Sequence, residues 1–311
     1  MWRHSARYSR IAEIERNDAA VNIRNVVRSL RPAQWTKNLF VFAALVFAQK
    51  VFDRALVLKT IAAFAIFCLL SGALYLINDV VDIDEDRIHP KKSKRPIASG
   101  LLRTDTAVGL AVGLSAASLT ASYALSWRFF IACAVYFVLQ LAYSLKLKHV
   151  VILDVFIVSS GFVLRVIGGG LVIGVPLSSW LLICTTLLAL FIAMNKRRHE
   201  LVLLENNASD HRPILREYSP YLLDQMISVV TASTVMAYCL YTVSEDTVRK
   251  FGTSNLIVTT PFVLYGIFRY LYLVHQKGKG GSPEELILKD RPLAAAVVLW
   301  IASVIVVLYL R

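Results

Sequence analysis

Nine long, nearly uncharged apolar runs dominate the chain and decide what it can fold into. They lie at roughly 34–49, 55–81, 104–125, 129–147, 151–172, 178–195, 221–243, 255–274 and 292–310. A helix needs about 20 apolar residues to cross a bilayer, so nine crossings use about 180 residues. That is close to the 57% of this 311-residue chain that is hydrophobic. No soluble core hides so much apolar sequence, so the expected fold is an all-α polytopic membrane protein with nine transmembrane helices. A soluble enzyme, a secreted disulfide scaffold and a disordered chain are excluded. Cys68, Cys133, Cys184 and Cys239 all sit within apolar runs, where they suggest neither disulfides nor a thiolate metal site. The polar, mixed-charge N-terminus has no short apolar core or cleavage site, so it does not read as a signal peptide. Residues 1–30 read as a cytoplasmic N-terminal segment and residues 31–311 as one nine-helix membrane domain.

The formal net charge is +13, from 34 Lys and Arg against 21 Asp and Glu. In a soluble chain this would raise nucleic-acid binding. Here it reads as membrane topology, because basic residues collect in cytoplasmic loops; no nucleic-acid partner is expected. With the N-terminus inside, the inward loops and span ends carry 25 of the 34 cations. The outward ones carry seven: Lys50, Arg54, Lys59, Arg128, Arg249, Lys250 and Arg311. This asymmetry orients the protein N-inside and puts every long polar loop on the cytoplasmic face. A transporter would instead show polar features on both faces and at mid-membrane depth.

The strongest chemical signal is Asn78-Asp79-Val80-Val81-Asp82-Ile83-Asp84-Glu85-Asp86, at the inner end of the second run. At about 100° per residue, Asp79, Asp82 and Asp86 fall within an arc of about 60°, with Asn78 at its edge and Asp84 nearly opposite. Three carboxylates on one face repel one another unless a cation sits among them. Hard oxygen ligands of this kind suit Mg²⁺ shared with phosphate oxygens. A charged helix end in the interface would use the same residue types, but five acids in eight residues run against the positive-inside trend. The next stretch, His89-Pro90-Lys91-Lys92-Ser93-Lys94-Arg95-Pro96-Ile97-Ala98-Ser99-Gly100, adds four cations. Metal on one side and Lys92 and Arg95 on the other make a site for a polyanion. Lys91 and Lys94 read as solvated or lipid-facing charges.

The N-D-x-x-D-x-x-x-D pattern followed by K-x-x-R-P-I-x-x-G resembles the UbiA-type intramembrane prenyltransferase superfamily. The resemblance implies a helical bundle with a central cavity open to the cytoplasm and to lipid, and a Mg²⁺-diphosphate leaving group held by aspartates. Most members carry a second aspartate-rich motif after the sixth span. This chain departs from that pattern with Asn195-Lys196-Arg197-Arg198-His199-Glu200, a stretch suited to a second phosphate rather than to further metal. Together with Arg31-Pro32-Ala33-Gln34-Trp35-Thr36-Lys37-Asn38, Tyr143-Ser144, Leu147-Lys148-His149, Ser159-Ser160, Arg165, and Ser282-Pro283-Glu284-Glu285 through Leu288 to Asp290-Arg291, it is similar to the decaprenyl-phosphate phosphoribosyltransferase branch. Residues 28 to 311 carry the likeness.

That branch implies a bacterial plasma-membrane enzyme that moves 5-phosphoribose from phosphoribosyl diphosphate to a polyprenyl phosphate, in the making of cell-envelope glycans. Asp79, Asp82 and Asp86, with Asn78, would hold Mg²⁺. Lys37, Lys92, Arg95, Lys196 and Arg197 would bind the phosphorylated ends. Gln34, Asn38, Tyr143 and Glu200 would orient ribose hydroxyls or a metal-bound water. Arg165, deep in its span and about 16 Å along the axis from Asp154, would bind a substrate phosphate or tie the bundle together. Gly161 and Gly168 on the same stripe read as close-packing positions. The competing readings are an aromatic prenyltransferase of the same superfamily, a transporter and a lipid-binding scaffold. The oligomeric state stays open, a homo-oligomer included.

Overall fold

The computed structural model describes residues 22–90, 92–204, 214, 217–278, 280–281, 286–287 and 289–309. Lys91, Ser282 to Glu285 and Leu288, parts of the motifs above, lie outside them. The described residues are helical, with no strand among them. The elements are α1 (Ile23–Ser29), a 3-10 segment (Pro32–Phe42), α2 (Ala43–Phe47), α3 (Arg54–Val81), α4 (Ile83–Ile88), α5 (Thr104–Leu125), α6 (Trp127–Leu145), α7 (Leu153–Ile173), α8 (Ser179–Leu204), α9 (Pro220–Val243), α10 (Glu245–Phe251), α11 (Thr260–His275) and α12 (Arg291–Tyr309). Short polar joints set the ends. Asp53 Oδ1 accepts from the N–H groups of Ala55 and Leu56 at the start of α3, and Gly174, at φ 70°, closes α7 in the left-handed conformation that glycine adopts without strain.

Among the described residues, eight helical stretches are long and apolar enough to cross a membrane, and the chain is an integral membrane protein. The first apolar run is not one of the eight. It winds as eleven residues of 3-10 helix and five of α-helix, because Arg31 enters in the left-handed region at φ 52° and Pro32 starts the segment. Its ends are nevertheless far apart. Arg31 binds Asp79 at the C-terminal end of α3. Val46 O accepts from the Tyr309 hydroxyl at 2.7 Å and Gln49 donates to Leu308 O at 2.8 Å, at the C-terminal end of α12.

α3 and α7 are the inner helices, 61% of each apolar window being buried against 22% for α5 and α12. One core joins Val41, Phe67, Leu70, Phe129 and Tyr136; a second joins Val155, Leu190, Phe191, Ile227 and Tyr270 around α8, α9 and α11. Close backbone approach, rather than hydrophobic force, holds helices together in lipid. Gly168 faces the Phe67 and Phe129 rings, and a side chain on Gly169 would put its Cβ 2.0 Å from the Val41 carbonyl oxygen. Gly169→Ala therefore costs about 1–3 kcal/mol by overpacking, read as a lower Tm in detergent. Gly109→Ala, whose Cβ meets nothing within 4 Å, shows no such loss.

Candidate active site

The acidic face forms as the spacing predicts. α3 ends at Val81 and α4 starts at Ile83, yet Asp86 N–H still donates to Asp82 O at 2.8 Å, so the helical register runs through the break. Asp79, Asp82 and Asp86 are 2%, 5% and 1% exposed, whereas the Asp84 side chain, on the opposite face, is 91% exposed. Buried carboxylates need counter-charge, and four cations supply it. Arg31 and Arg95 both bind Asp79 Oδ1, the second at 3.0 Å. Arg95 also binds Asp86 Oδ2, and Lys92 Nζ lies 3.7 Å from Asp86 Oδ1. Lys148, itself buried, binds Asp82 Oδ1, while the Asn78 amide donates to Asp82 Oδ2 at 3.0 Å. Asp86 Oδ1 is buried without a hydrogen-bond partner.

The loop after α4 is held over this face by apolar anchors. Ile97 and Leu102 pack with Leu76, Ala107 and Ala111, so the K-x-x-R-P-I spacing delivers Lys92 and Arg95 to the carboxylates. Lys94 is exposed. Arg31 sits 4.7 Å over the Tyr75 ring, one turn before Asp79. Burial pulls its guanidinium below the usual range, and the Asp79 charge opposes that shift.

The joint between α6 and α7, from which Lys148 reaches Asp82, also borders a cleft lined by Lys37, Tyr143, Val155, Phe162, Lys196, Arg197 and Glu200. Arg197 Nη2 lies 2.8 Å from Asp154 Oδ2, Arg197 Nη1 donates to Glu200 Oε2 at 2.7 Å, and the same guanidinium bonds Tyr143. Arg198 points elsewhere, to Asp224 on α9, with Nη2 to Oδ2 at 3.2 Å, as a 100° step along the helix requires. Gln34 is half-buried on the 3-10 segment, one turn before Lys37.

Neither Asn38, expected to orient the ribose or a metal-bound water, nor Arg165, expected to bind a substrate phosphate or tie the bundle together, is among the residues lining the cleft. Asn38 is fully buried. Its Oδ1 accepts from Arg165 Nε at 2.6 Å, and its amide faces Cys68 and Ser71. Arg165 also donates to Gly161 O at 2.7 Å and to the Tyr136 hydroxyl at 2.8 Å. With three of its five N–H donors bound inside the bundle, this arginine ties the 3-10 segment to α6 and α7.

Four contributors were not singled out as site residues by sequence reading: Arg31, Lys148, Asp154 and Tyr218. Arg31 and Lys148 stand in the motifs that carry the family resemblance, and that was their signal. Asp154 and Tyr218 had none.

The sequence profile of the UbiA prenyltransferase family matches residues 38–286. This chain belongs to the UbiA prenyltransferase family. It is 37% identical over 298 residues to a decaprenyl-phosphate phosphoribosyltransferase from Mycolicibacterium smegmatis, covering 92% of this chain and 93% of that one. The same-named protein of Corynebacterium glutamicum is 35% identical over 92% of this chain and 87% of its own. Among solved structures, a UbiA homologue from Archaeoglobus fulgidus bound to DMAPP and Mg²⁺ superposes with a TM-score of 0.69 at 18% identity, over 92% of this chain and 100% of that one. That likeness shows the UbiA fold. The A. fulgidus homologue carries Mg²⁺. Among the described residues here, no three His, Cys, Asp or Glu side chains converge as a ready-made metal cage, because arginine and lysine stand between the carboxylates. The donor set still fits a hard divalent ion: three carboxylates on one face, an amide beside them, and in Asp86 Oδ1 a buried acceptor that receives no hydrogen bond.

Proposed function

We propose that this chain transfers 5-phosphoribose from phosphoribosyl diphosphate to a polyprenyl phosphate such as decaprenyl phosphate, releasing diphosphate, on the cytoplasmic side of a bacterial plasma membrane. One observation carries the reading. The cleft is lined by Lys37, Lys196, Arg197 and Tyr143, where an aromatic prenyltransferase would place a second acidic cluster; the acid in its lining, Glu200, and the buried Asp154 behind it are both bound to Arg197. The names of the M. smegmatis and C. glutamicum relatives support the same chemistry.

In this reading Asp79, Asp82, Asp86 and Asn78 hold Mg²⁺, which when bound neutralises charge on the diphosphate. Arg31, Lys92, Arg95 and Lys148 exchange their carboxylates for diphosphate oxygens, so the leaving group meets cations already in place. Lys37, Lys196 and Arg197 take the 5-phosphate end, and Gln34, Tyr143 and Glu200 orient the ribose. The bond from C1 to the diphosphate oxygen breaks with its electron pair leaving on diphosphate. An oxygen of the lipid phosphate attacks C1 from the other face. That phosphate is ionised at neutral pH, so no general base is required.

The first apolar run is the ninth crossing. Its 3-10 and α portions span about 30 Å, and it joins the Asp79 end of α3 to the far end, where the chain turns back into α3 at Arg54. Nine crossings with the cations of the inward loops place residues 1–30 and the mouth of the cleft in the cytoplasm, with residues 31–311 as the catalytic domain.

The reading is tested by incubating purified protein in detergent with Mg²⁺, labelled phosphoribosyl diphosphate and decaprenyl phosphate. Label in the lipid phase that disappears with a chelator is the expected result. No label, with turnover of a prenyl diphosphate and an aromatic acid, would select the aromatic prenyltransferase instead.

A further inference from the structure

We propose that Asp154 and the Tyr218 hydroxyl are positioning residues, which together set the Arg197 guanidinium and, through it, the Glu200 carboxylate that faces the ribose-phosphate end of the cleft. The proposal rests on the phosphoribosyl-transfer reading above.

The joint between α6 and α7 serves both halves of the site. Lys148 reaches from it to Asp82, and Asp154, fully buried in the first turn of α7, reaches to Arg197. Between them the backbone makes a γ-turn. Ile152 sits at φ 69°, ψ −44°, and Leu153 N–H donates to Val151 O at 2.8 Å. This positive-φ form of the turn is rare and strained, the more so for a β-branched residue. Such strain persists only where the surroundings over-determine it, and it gathers at sites that need a fixed geometry.

One hydroxyl holds this turn. Tyr218 Oη accepts the Ile152 N–H at 2.6 Å and donates to Asp154 Oδ1 at 2.8 Å. A single atom therefore fixes the strained turn and aims the carboxylate. Burial pushes the Tyr218 hydroxyl up to about 12, so it stays a donor throughout the neutral range. Its ring is anchored separately, against Leu201, Ile214 and Leu223. Leu201 stands one turn beyond Arg197 on α8, so the same tyrosine braces that helix from its apolar side. Arg197 and Asp154 are both buried, and a planar guanidinium shared between two carboxylates has one orientation that satisfies both. Loss of the Asp154 aim lets Arg197 turn and take Glu200 with it.

Tyr218→Phe removes the hydroxyl and keeps the ring anchor, which makes it the informative variant; Asp154→Asn is the second. Initial rates are measured on the full chain in detergent, varying labelled phosphoribosyl diphosphate and decaprenyl phosphate in turn, with Tm recorded in parallel. In Tyr218→Phe the KM for the phosphoribosyl donor rises about tenfold, the worth of one charge-assisted hydrogen bond, while the KM for the lipid stays at the wild-type value. The double variant is no worse than Asp154→Asn alone, because both changes act through one carboxylate. A lower Tm with both KM values unchanged, or additive losses in the double variant, overturns the proposal. A wild type that transfers no phosphoribose overturns the reaction assignment instead, and does so before any variant is compared.

Discussion

Asp82→Asn lowers phosphoribosyl transfer by about 10³-fold, the scale expected when a group acting on transition-state charge is removed from a water-poor site. The substitution keeps the side chain's shape and an oxygen that accepts from Lys148, but removes one negative charge from the middle of the three. Asp82 is the position where α3 hands over to α4, so its carboxylate lies between those of Asp79 and Asp86 along the face. The loss is read from initial rates across a Mg²⁺ titration, with Tm measured beside it. Part of the rate should return at high Mg²⁺, since weaker ion binding is part of the defect. Asp84→Asn, on the exposed opposite face, keeps wild-type rates. An Asp82→Asn protein that runs within tenfold of wild type at every Mg²⁺ concentration would move the reaction away from the aspartate face.

Arg165→Leu costs about 3 kcal/mol of stability and leaves the donor KM of the surviving protein unchanged. The substitution orphans Asn38 Oδ1, takes the second, side-chain donor from the Gly161 carbonyl, and removes the donor to the Tyr136 hydroxyl. Hydrogen bonds between helices in a membrane are worth on average about 0.6 kcal/mol and at most about 1.7, so the two to Asn38 and Tyr136 plus the buried, orphaned Asn38 Oδ1 reach the stated size. The Tm in detergent and the donor KM separate the two roles that an intramembrane arginine can have. A bundle tie lowers Tm alone. An unchanged Tm with a raised KM would make Arg165 a phosphate ligand and contradict the closed network. Adding Asn38→Leu should cost less than the sum of the two single losses, because the Arg165–Asn38 bond is counted in both, leaving only the amide's contacts with Cys68 and Ser71 to lose.

The sequence by itself determined the helical membrane fold, the acidic face and the branch of the family. Each of these rests on a local repeat. Twenty apolar residues make a span wherever they occur, and the spacing of Asp79, Asp82 and Asp86 places them on one face through the 3.6-residue turn alone. The delivery of Lys92 and Arg95 was legible for the same reason, since they follow within ten residues of Asp86. The charge count oriented the protein in the proposed sense without any knowledge of packing.

Other features depended on which helices touch. Arg31 and Lys148 reach the aspartates from 48 and 66 residues away, and Arg165 meets Asn38 across 127; no spacing rule encodes such pairings. The same held for Tyr218, whose hydroxyl meets Asp154 across 64 residues. The winding of the first run was also beyond sequence. Hydropathy counts apolar residues but does not distinguish bonding to the third residue from bonding to the fourth. That choice went with the left-handed Arg31, Pro32 and the absence of a side chain at Gly169, where the Val41 carbonyl comes to rest. Periodicity along one helix is local and survives in the sequence. Contact between helices depends on side-chain shape and backbone approach in three dimensions, so only the tertiary structure decided it.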